Sequence, residues 1–301
     1  MRDIIRIKSI DQIHKALGIG APKHPLVTVI PLEDLVSYDY GEYTYVMELY
    51  HISLKCGIDG AITYGCNSYD FHDGTLVFSK PEQTLYYDSS IETSNCSGWT
   101  LFFHPDLIRK SELGRTIEKY TFFSYEANEA LHLSETERES ITNLVKKIEE
   151  EYIQNIDKHS QRLIISNIHL LLDYCTRYYD RQFITRTERN KDIISEFENL
   201  LNNYFSSESL SEIGLPSVKY CAEQLHLSAN YLSDLLKKET GKNGTEHIQY
   251  CVIEKAKDRL LSSTISVSEI AYDLGFEYPQ YFSKLFKKNT GMTPAEYRSS
   301  N

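Results

Sequence analysis

Hydrophobic positions in the N-terminal part of the chain come in short clustered or alternating runs. Turn residues such as Asp59-Gly60 and Asp73-Gly74 separate them. Runs of this length and spacing predict strands joined by tight turns. They favour an antiparallel barrel or sandwich. The runs cover residues 26–30, 43–50, 61–64, 75–78, 84–87 and 98–103.

The periodicity then becomes helical. Ser134 and Glu137 have the spacing of a capping box, and five apolar residues follow at intervals that place them on one face of a helix. These residues are Ile141, Leu144, Val145, Ile148 and Tyr152. A second segment, residues 163–175, is apolar around most of its circumference, more than is needed to cover the strands. The surplus surface pairs with a second chain or packs within one subunit, and the pattern leaves both open.

Residues 181–192 are charged and weakly periodic, which predicts a linker between an N-terminal domain, residues 1–180, and a C-terminal domain, residues 193–301. The C-terminal domain contains an internal repeat. Residues 231–241, YLSDLLKKETG, recur as residues 281–291, YFSKLFKKNTG, at a shift of 50. Just upstream, Ala222 recurs as Ala271 at a shift of 49. Because repeats keep helices intact and absorb insertions in turns, each copy predicts a helix, a turn and a second helix.

The second helix of each copy is amphipathic. Its polar stripe falls at positions i, i+3 and i+4, opposite a packed stripe of Leu or Phe. Two neighbouring lysines follow, near where a helix in a DNA groove passes the phosphate backbone. Further helix limits are indicated by Ser266 and Glu269, by Thr293 and Glu296, and by Gly241 and Gly291 as C-caps. The polar stripes are Asn230, Ser233 and Asp234 in the first copy and Gln280, Ser283 and Lys284 in the second; the lysines are Lys237, Lys238, Lys287 and Lys288.

Three segments of the second copy resemble the C-terminal signature of the AraC/XylS transcription regulators. They are residues 267–276, VSEIAYDLGF, residues 281–288, YFSKLFKK, and residues 291–298, GMTPAEYR. The resemblance extends over residues 193–298. It implies two helix-turn-helix units joined by a long helix, here about residues 245–261. Two departures from the signature are present: the joining helix has Val252 where a basic residue is usual, and the first unit lacks a counterpart of Pro294.

By position, the resemblance makes the two polar stripes candidates for contact with base edges. Ser228 joins the four lysines as a candidate for phosphate contact. Asp234 has two interpretations: it accepts a hydrogen bond from cytosine N4, or it faces solvent or caps locally and leaves the first unit a weak reader. From residue 191 to the end the chain has 12 Lys or Arg and 15 Asp or Glu, a net charge of −3. DNA-binding domains are ordinarily basic, so strong nonspecific binding is not expected.

The N-terminal domain resembles, less specifically, the cupin-like jelly roll that serves as the sensor in many of these regulators. The resemblance rests on residues 74–81, GTLVFSKP. A barrel of this kind can hold one small ligand. Tyrosines could line a pocket for an aromatic or sugar-like effector, or could form only the core and rim of the barrel. The pocket candidates are Tyr43, Tyr45, Tyr64 and Tyr86.

Enzymatic and metal-binding classes find little support. Cupin metal sites need two histidines one residue apart, and His14, His24, His51, His72, His104 and His132 have no such neighbour. Nucleophile, P-loop and dinucleotide motifs are absent from the sequence. We therefore expect no metal, no cofactor and no enzymatic activity. The six cysteines lack zinc spacing and favour reduced thiols, with redox sensing at Cys56, Cys66 or Cys96 as a less favoured alternative.

The whole chain has 301 residues and a net charge of −11. It has no apolar run long enough to span a membrane, and its N-terminus lacks the apolar core of a signal peptide, so we expect a cytoplasmic protein. The sequence as a whole predicts an α+β protein in two domains that regulates transcription. We expect a homodimer that binds double-stranded promoter DNA, responds to a small organic effector and activates initiation with RNA polymerase. Two alternatives remain: a DNA-binding protein whose barrel only dimerises, and a cupin enzyme with a DNA-binding tail.

Overall fold

The computed structural model describes residues 4–35, 44–56, 74–86, 97–126, 129–154, 157–206 and 210–300. The chain divides into two compact units, Met1–Thr185 and Arg186–Asn301. The first contains the described strands and the second is helical, so the expected mixture of α and β structure is confirmed.

Two sheets form the strand-bearing part of the N-terminal unit. The smaller has the order β1-β3-β6 and the larger the order β2-β7-β4-β5-β8. All pairs in the larger sheet are antiparallel. The strands are β1 (Ile4–Ile7), β2 (Val27–Pro31), β3 (Thr44–Met47), β4 (Tyr50–Cys56), β5 (Thr75–Ser79), β6 (Gln83–Tyr86), β7 (Ser97–Phe103) and β8 (Leu131–His132).

The structure corrects two expectations, the purely antiparallel arrangement and the limits of one strand. β1 pairs with β3 in parallel, with Ile4 opposite Thr44, because the chain between them passes through a helix and β2 and returns in the same direction. The single run expected at residues 43–50 is divided between β3 and β4. The remainder of β4, which lies at the centre of the larger sheet, was not among the predicted strands. The run at residues 61–64 lies outside the described residues.

The two faces of the larger sheet differ in chemistry because side chains alternate along each strand. One face carries apolar residues, among them Leu54, Leu76 and Leu101, all buried. The other face carries buried polar residues as well as Ile30 and Phe102. Ile30 and Phe102 belong to an apolar cluster with Ile7, Tyr45 and Met47 of the smaller sheet. This second face, which we call the polar face, therefore points towards the smaller sheet.

Helices cover the apolar face. The predicted capping box is confirmed, since Ser134 and Glu137 exchange both hydrogen bonds at the start of α4. Trp99 of β7 donates its indole N–H to Thr142 of α4, 3.1 Å away, and Arg181 of α5 contacts Glu137 of α4 at 2.9 Å. The helices of this unit are α1 (Ile10–Ala16), α2 (Pro105–Ile108), α3 (Glu112–Thr116), α4 (Glu135–Ile153) and α5 (Ser160–Thr185), with 3-10 turns at Leu32–Leu35, Ile117–Lys119 and Thr121–Ser124.

The predicted linker is largely helical. The boundary between the two units falls between Thr185 and Arg186, inside residues 181–192, but these residues complete α5 and begin the next helix. The C-terminal unit consists of α6 (Thr187–Ser206), α7 (Leu210–Ile213), α8 (Val218–Gln224), α9 (Ala229–Thr240), α10 (Gly244–Ser262), α11 (Val267–Asp273), α12 (Pro279–Thr290) and α13 (Pro294–Ser300).

The repeat appears as two helix pairs with matching limits. α8 and α11 have the same length at a shift of 49, and α9 and α12 have the same length at a shift of 50. The extra residue therefore lies in the turn of the second pair, as predicted. The joining helix α10 confirms the expected long helix at residues 245–261 within one residue at each end.

The turns of the two pairs share a left-handed residue at equivalent positions. His226 has φ of 55° and Gly275 has φ of 83°. At Gly275 the absence of a side chain is required, because an added Cβ would lie 2.8 Å from the carbonyl carbon of Gly214 and 2.9 Å from the carbonyl oxygen of Leu210. The chain following α7 thus packs directly on the second turn.

Candidate nucleic-acid interface

The first recognition helix, α9, buries one side and exposes the other. Leu232, Leu235 and Leu236 are fully buried. Asn230 is exposed, and Ser233 and Asp234 are half-buried. The helical periodicity expected from the sequence is therefore observed, and the polar stripe reaches the surface at Asn230.

The second recognition helix, α12, repeats this division. Phe282 and Phe286 are fully buried. Gln280 and Lys284 are exposed, whereas Ser283 is half-buried. Gln280 and Lys284 are four residues apart and thus lie on the same side of the helix, where an amide and an ammonium group can reach one ligand together.

Lysines occupy the last turns of both recognition helices, and all four are exposed: Lys237, Lys238, Lys287 and Lys288. Positive charge is favourable at a helix C-terminus, where carbonyl groups point outwards. Gly241 and Gly291 end the helices in the left-handed conformation, which confirms the predicted C-caps.

The two recognition helices differ in charge. α9 contains Asp234 and Glu239 as well as its two lysines, so its formal charge is zero. α12 contains Lys284, Lys287 and Lys288 and no acidic residue, for a formal charge of +3. The unit as a whole is acidic, yet α12 presents a local basic surface, and screening confines its effect to within roughly 8 Å at physiological salt.

Ser228 lies at the start of α9, not on its outer surface. It is buried, and its hydroxyl oxygen accepts a hydrogen bond from the backbone N–H of Tyr231 as the N-cap. The backbone N–H groups at this end of the helix remain candidates for a phosphate.

The exit from each recognition helix is also repeated. Thr240 donates its hydroxyl to the carbonyl of Leu236, as Thr290 does to that of Phe286. A capping box follows the recognition helix in each copy, formed by Asn243 with Glu246 in the first and by Thr293 with Glu296 in the second. The boxes predicted at Glu269 and Glu296 are both present. Gly244 takes the place of Pro294 in the first copy and leaves the cap intact.

The joining helix α10 connects the two pairs through its buried side. Val252, at the position where a basic residue is usual in the AraC/XylS signature, is fully buried, so an apolar residue fits this site. Arg259 near the end of α10 contacts Asp273 of α11 at 2.9 Å. The hydroxyl oxygen of Thr240 lies 2.8 Å from Nε2 of His247. Burial lowers the pKa of that histidine.

Two exposed tyrosines beside the second polar stripe were not among the residues predicted to contact DNA. Tyr281 follows Gln280 in the first turn of α12 and is 61% exposed, and Tyr278 at the N-cap is 47% exposed. Tyr231 occupies the equivalent position in α9 and is only 3% exposed. The sequence repeat does not reveal this difference in exposure, because both copies carry tyrosine at this position. The two copies differ just before the recognition helix, where the second turn is one residue longer.

In the N-terminal unit, the candidate pocket residues fall in different places. Tyr45 is buried in the apolar cluster between the sheets. Tyr43 and Tyr64 lie outside the described residues, as do His72, Cys66 and Cys96, and the side chain of Tyr86 is likewise outside them. Cys56 is buried, with its sulfur 3.9 Å from Nη1 of Arg138.

A cleft of about 660 Å³ lies between the apolar face of the larger sheet and α4. Its walls include Trp99, Cys56, Arg138 and Lys146.

Across the described ranges, no group of three or more His, Cys, Asp or Glu side chains is arranged to hold a metal ion. No described helix combines the length and apolar character needed to cross a membrane.

Comparison with known proteins links the C-terminal unit to a family. Residues 221–300 match the model of a family described as a helix-turn-helix domain. The chain is 27% identical over 192 residues to the HTH-type transcriptional regulator YijO of Escherichia coli, covering 64% of each chain. It is 41% identical over 92 residues to the transcriptional regulatory protein YesN of Bacillus subtilis, covering 29% of this chain and 25% of that one.

A solved structure also matches part of the chain. The C-terminal domain of AraT, a response regulator from Geobacillus stearothermophilus, is 31% identical, with a TM-score of 0.33, over 36% of this chain and 85% of that one. The chain therefore spans 64% of the length of one curated relative and a quarter of the other.

Proposed function

From the AraC-type helix-turn-helix domain formed by its C-terminal region, we propose that the chain is a sequence-specific transcription regulator that reads promoter DNA with both units. The observation that carries this proposal is the matched pair of recognition helices, α9 and α12. Each buries an apolar side, carries a polar stripe that reaches the surface at Asn230 or at Gln280 and Lys284, and ends in two exposed lysines. A helix of this kind fits the major groove, where side chains distinguish base pairs and lysines contact phosphates.

Selection of bound fragments from random double-stranded DNA by the full chain tests this proposal. We expect one enriched motif, and the double variant Gln280→Ala, Lys284→Ala should fail to enrich it. The matched control is Lys146→Ala, which removes an exposed lysine of α4 in the N-terminal unit. Enrichment of no motif by the unmodified chain would contradict sequence-specific reading.

We also propose that the N-terminal unit is a cupin-like jelly roll that binds a small organic effector on its polar face. Four buried polar residues of this face support the idea: His51 and Ser53 of β4, Thr75 of β5 and Thr100 of β7. Within the described part of the chain, the hydroxyl oxygens of Thr75 and Thr100 have no hydrogen-bond partner. A buried polar group without a partner costs about 1–3 kcal/mol.

A ligand with hydrogen-bonding groups would remove that cost. The neighbouring imidazole favours an uncharged ligand, since burial lowers the pKa of His51 to about 3 and leaves it neutral at pH 7. The effector class that best fits is therefore a neutral polyhydroxylated or amide-bearing molecule. Tyr43, Tyr45, Tyr64 and Tyr86 remain candidates for its apolar contacts.

Binding of candidate metabolites can be followed by thermal shift and by the change in DNA affinity. A coupling of about 1–3 kcal/mol would change DNA affinity roughly 5- to 150-fold. Thr100→Val should abolish the response, while Lys146→Ala, in the cleft beside α4, should leave it unchanged. The reverse result would place the effector in the cleft, and the absence of any response would favour a unit that only dimerises.

We propose further that the protein is a homodimer that activates initiation with RNA polymerase. Leu163 and Leu170 are exposed seven residues apart on α5 and supply an apolar stripe for a second copy. Sedimentation should show a dimer that Leu170→Glu converts to a monomer.

Transcription from a promoter carrying the selected motif should rise with added protein; a fall would indicate a repressor.

A further inference from the structure

Tyr278 and Tyr281 form an exposed aromatic pair at the start of α12. Their ring centroids are 5.7 Å apart and the rings are nearly perpendicular, at 84°. Edge-to-face geometry of this kind is favourable, and it holds the Tyr281 ring against its neighbour. Two adjacent rings facing solvent present apolar surface where the rest of the helix exposes polar groups.

Position relates this pair to the DNA-reading side of α12. Tyr281 directly follows Gln280, and it precedes Lys284 by three residues and Lys288 by seven. These spacings place Tyr281, Lys284 and Lys288 along one side of the helix. Residues near the N-terminus of a recognition helix are those that contact base edges, and Tyr281 lies in that first turn.

The first unit provides an internal comparison. Its equivalent residue, Tyr231, is buried and therefore contributes to packing. The two helices have matching limits and bury two equivalent pairs, Leu232 with Phe282 and Leu236 with Phe286. The exposure of Tyr281 therefore distinguishes the second unit from the first. Glu277 precedes the pair, but α12 itself carries three lysines and no acidic residue. The net positive charge beside Tyr281 suits a polyanion more than an apolar protein partner.

We propose that Tyr281, held by Tyr278, packs on thymine C5-methyl groups in the major groove and gives the second unit a preference for T at defined positions. This inference rests on the proposed DNA binding. The chemistry is that of apolar contact with the one methyl group that distinguishes the groove edge of thymine.

Replacement of thymine by uracil tests the contact, since uracil keeps every hydrogen-bonding group and lacks only the methyl group. Each thymine of the selected motif is replaced singly, and the Kd of the full chain is measured. For the unmodified protein we expect about a fourfold weakening at one or two thymines of the α12 half-site, equivalent to about 0.8 kcal/mol for one buried methyl group. Tyr281→Ala should bind thymine and uracil sites equally, while Tyr281→Phe should retain the difference.

Tyr272→Ala is the matched control, because Tyr272 is an exposed tyrosine on α11 outside the recognition helix. It should keep the full sensitivity to uracil. Equal binding of all uracil sites by the unmodified protein would overturn the inference, as would an unchanged uracil penalty in Tyr281→Ala. Unchanged DNA binding with lost transcription in Tyr281→Ala would assign the pair to a protein partner instead. Failure to select any DNA motif would overturn the proposed function itself and this inference with it.

Discussion

At the scale of single residues, the exposed side of α12 combines two different ways of contacting DNA. Gln280 can exchange two hydrogen bonds with N6 and N7 of adenine, and Lys284 can donate to O6 and N7 of guanine. Lys237 and Lys288 lie nearer the helix ends, where the phosphate backbone passes. Contacts of the first kind depend on sequence, whereas contacts of the second kind do not.

Alanine substitutions should separate these two roles. Gln280→Ala or Lys284→Ala should weaken binding to the selected site by about 1–3 kcal/mol and relax preference at one position. Lys237→Ala or Lys288→Ala should weaken binding to all sequences alike and reduce the salt dependence. Titrations on specific and random duplexes at several salt concentrations measure both effects. Equal losses on both duplexes for Gln280→Ala would remove it from the base-reading set.

His51 is a buried residue whose titration belongs to the N-terminal unit. Its ring stacks on Phe102 at 4.7 Å, and its Nδ1 lies 3.2 Å from the hydroxyl of Ser79. Desolvation, followed by the positive charge of Lys55, lowers its pKa to about 3. The unfolded state therefore takes up a proton below about pH 6.5 while the folded state does not.

This group should therefore leave the free energy of unfolding unchanged above about pH 6.5. Between about pH 6.5 and pH 3 the free energy of unfolding should fall as the pH is lowered, by up to about 1.4 kcal/mol per pH unit. Trp99, the single tryptophan of the chain, reports unfolding of this unit by fluorescence in urea. His51→Gln should lower stability at pH 7 and flatten the pH dependence. The exposed His159 provides the control His159→Gln, which should keep the slope; an equal slope in His51→Gln would refute the assignment.

At the scale of elements, the sequence predicted helices better than strands. The C-terminal ends of α9 and α12 follow from Gly241 and Gly291, and the starts of α4 and α11 follow from capping boxes. Such local interactions are readable along the chain. The parallel pairing of β1 with β3 joins residues about 40 positions apart, and no local signal announces it. Beyond Tyr50 the central strand β4 was missed, although its polar and apolar residues alternate along the sequence. The burial of His51 and Ser53 against another layer could not be read from that alternation.

In the candidate site, too, features set by local sequence were predicted and features set by packing were not. Helical periodicity placed Gln280 and Lys284 on the exposed side correctly. Periodicity could not separate Tyr231 from Tyr281, because their different exposure depends on packing around each helix. Nor could it show that Ser228 is used as a cap, since a serine at the start of a helix serves a cap and a phosphate equally well.

The turn of the second unit offers a direct stability test. Gly275 and Gly291 have nearly the same left-handed φ, 83° and 81°, which costs a residue with a Cβ about 1–2 kcal/mol. An added Cβ at Gly291 meets nothing within 4 Å, whereas at Gly275 it collides with the backbone of Gly214 and Leu210. Gly275→Ala should thus cost about 1–3 kcal/mol more than Gly291→Ala. Urea unfolding followed by far-UV circular dichroism compares them, and equal losses would contradict the close approach.

At the scale of the whole molecule, the C-terminal unit holds two recognition helices on one joining helix, α10. The central claim is that both helices enter DNA. A rigid pair can occupy successive major grooves on one face of the duplex, about 34 Å apart, or bend the DNA to do so. The zero formal charge of α9 and the +3 of α12 imply that the second unit supplies more of the attraction to phosphate.

Hydroxyl-radical footprinting of the full chain on its selected site tests this claim most directly. We expect two protected patches per monomer, about one helical turn apart on one face of the duplex. Gln280→Ala should weaken protection mainly in one patch, and Asn230→Ala mainly in the other. A single protected groove, unchanged by Asn230→Ala, would show that α9 does not read DNA and would contradict the two-unit account.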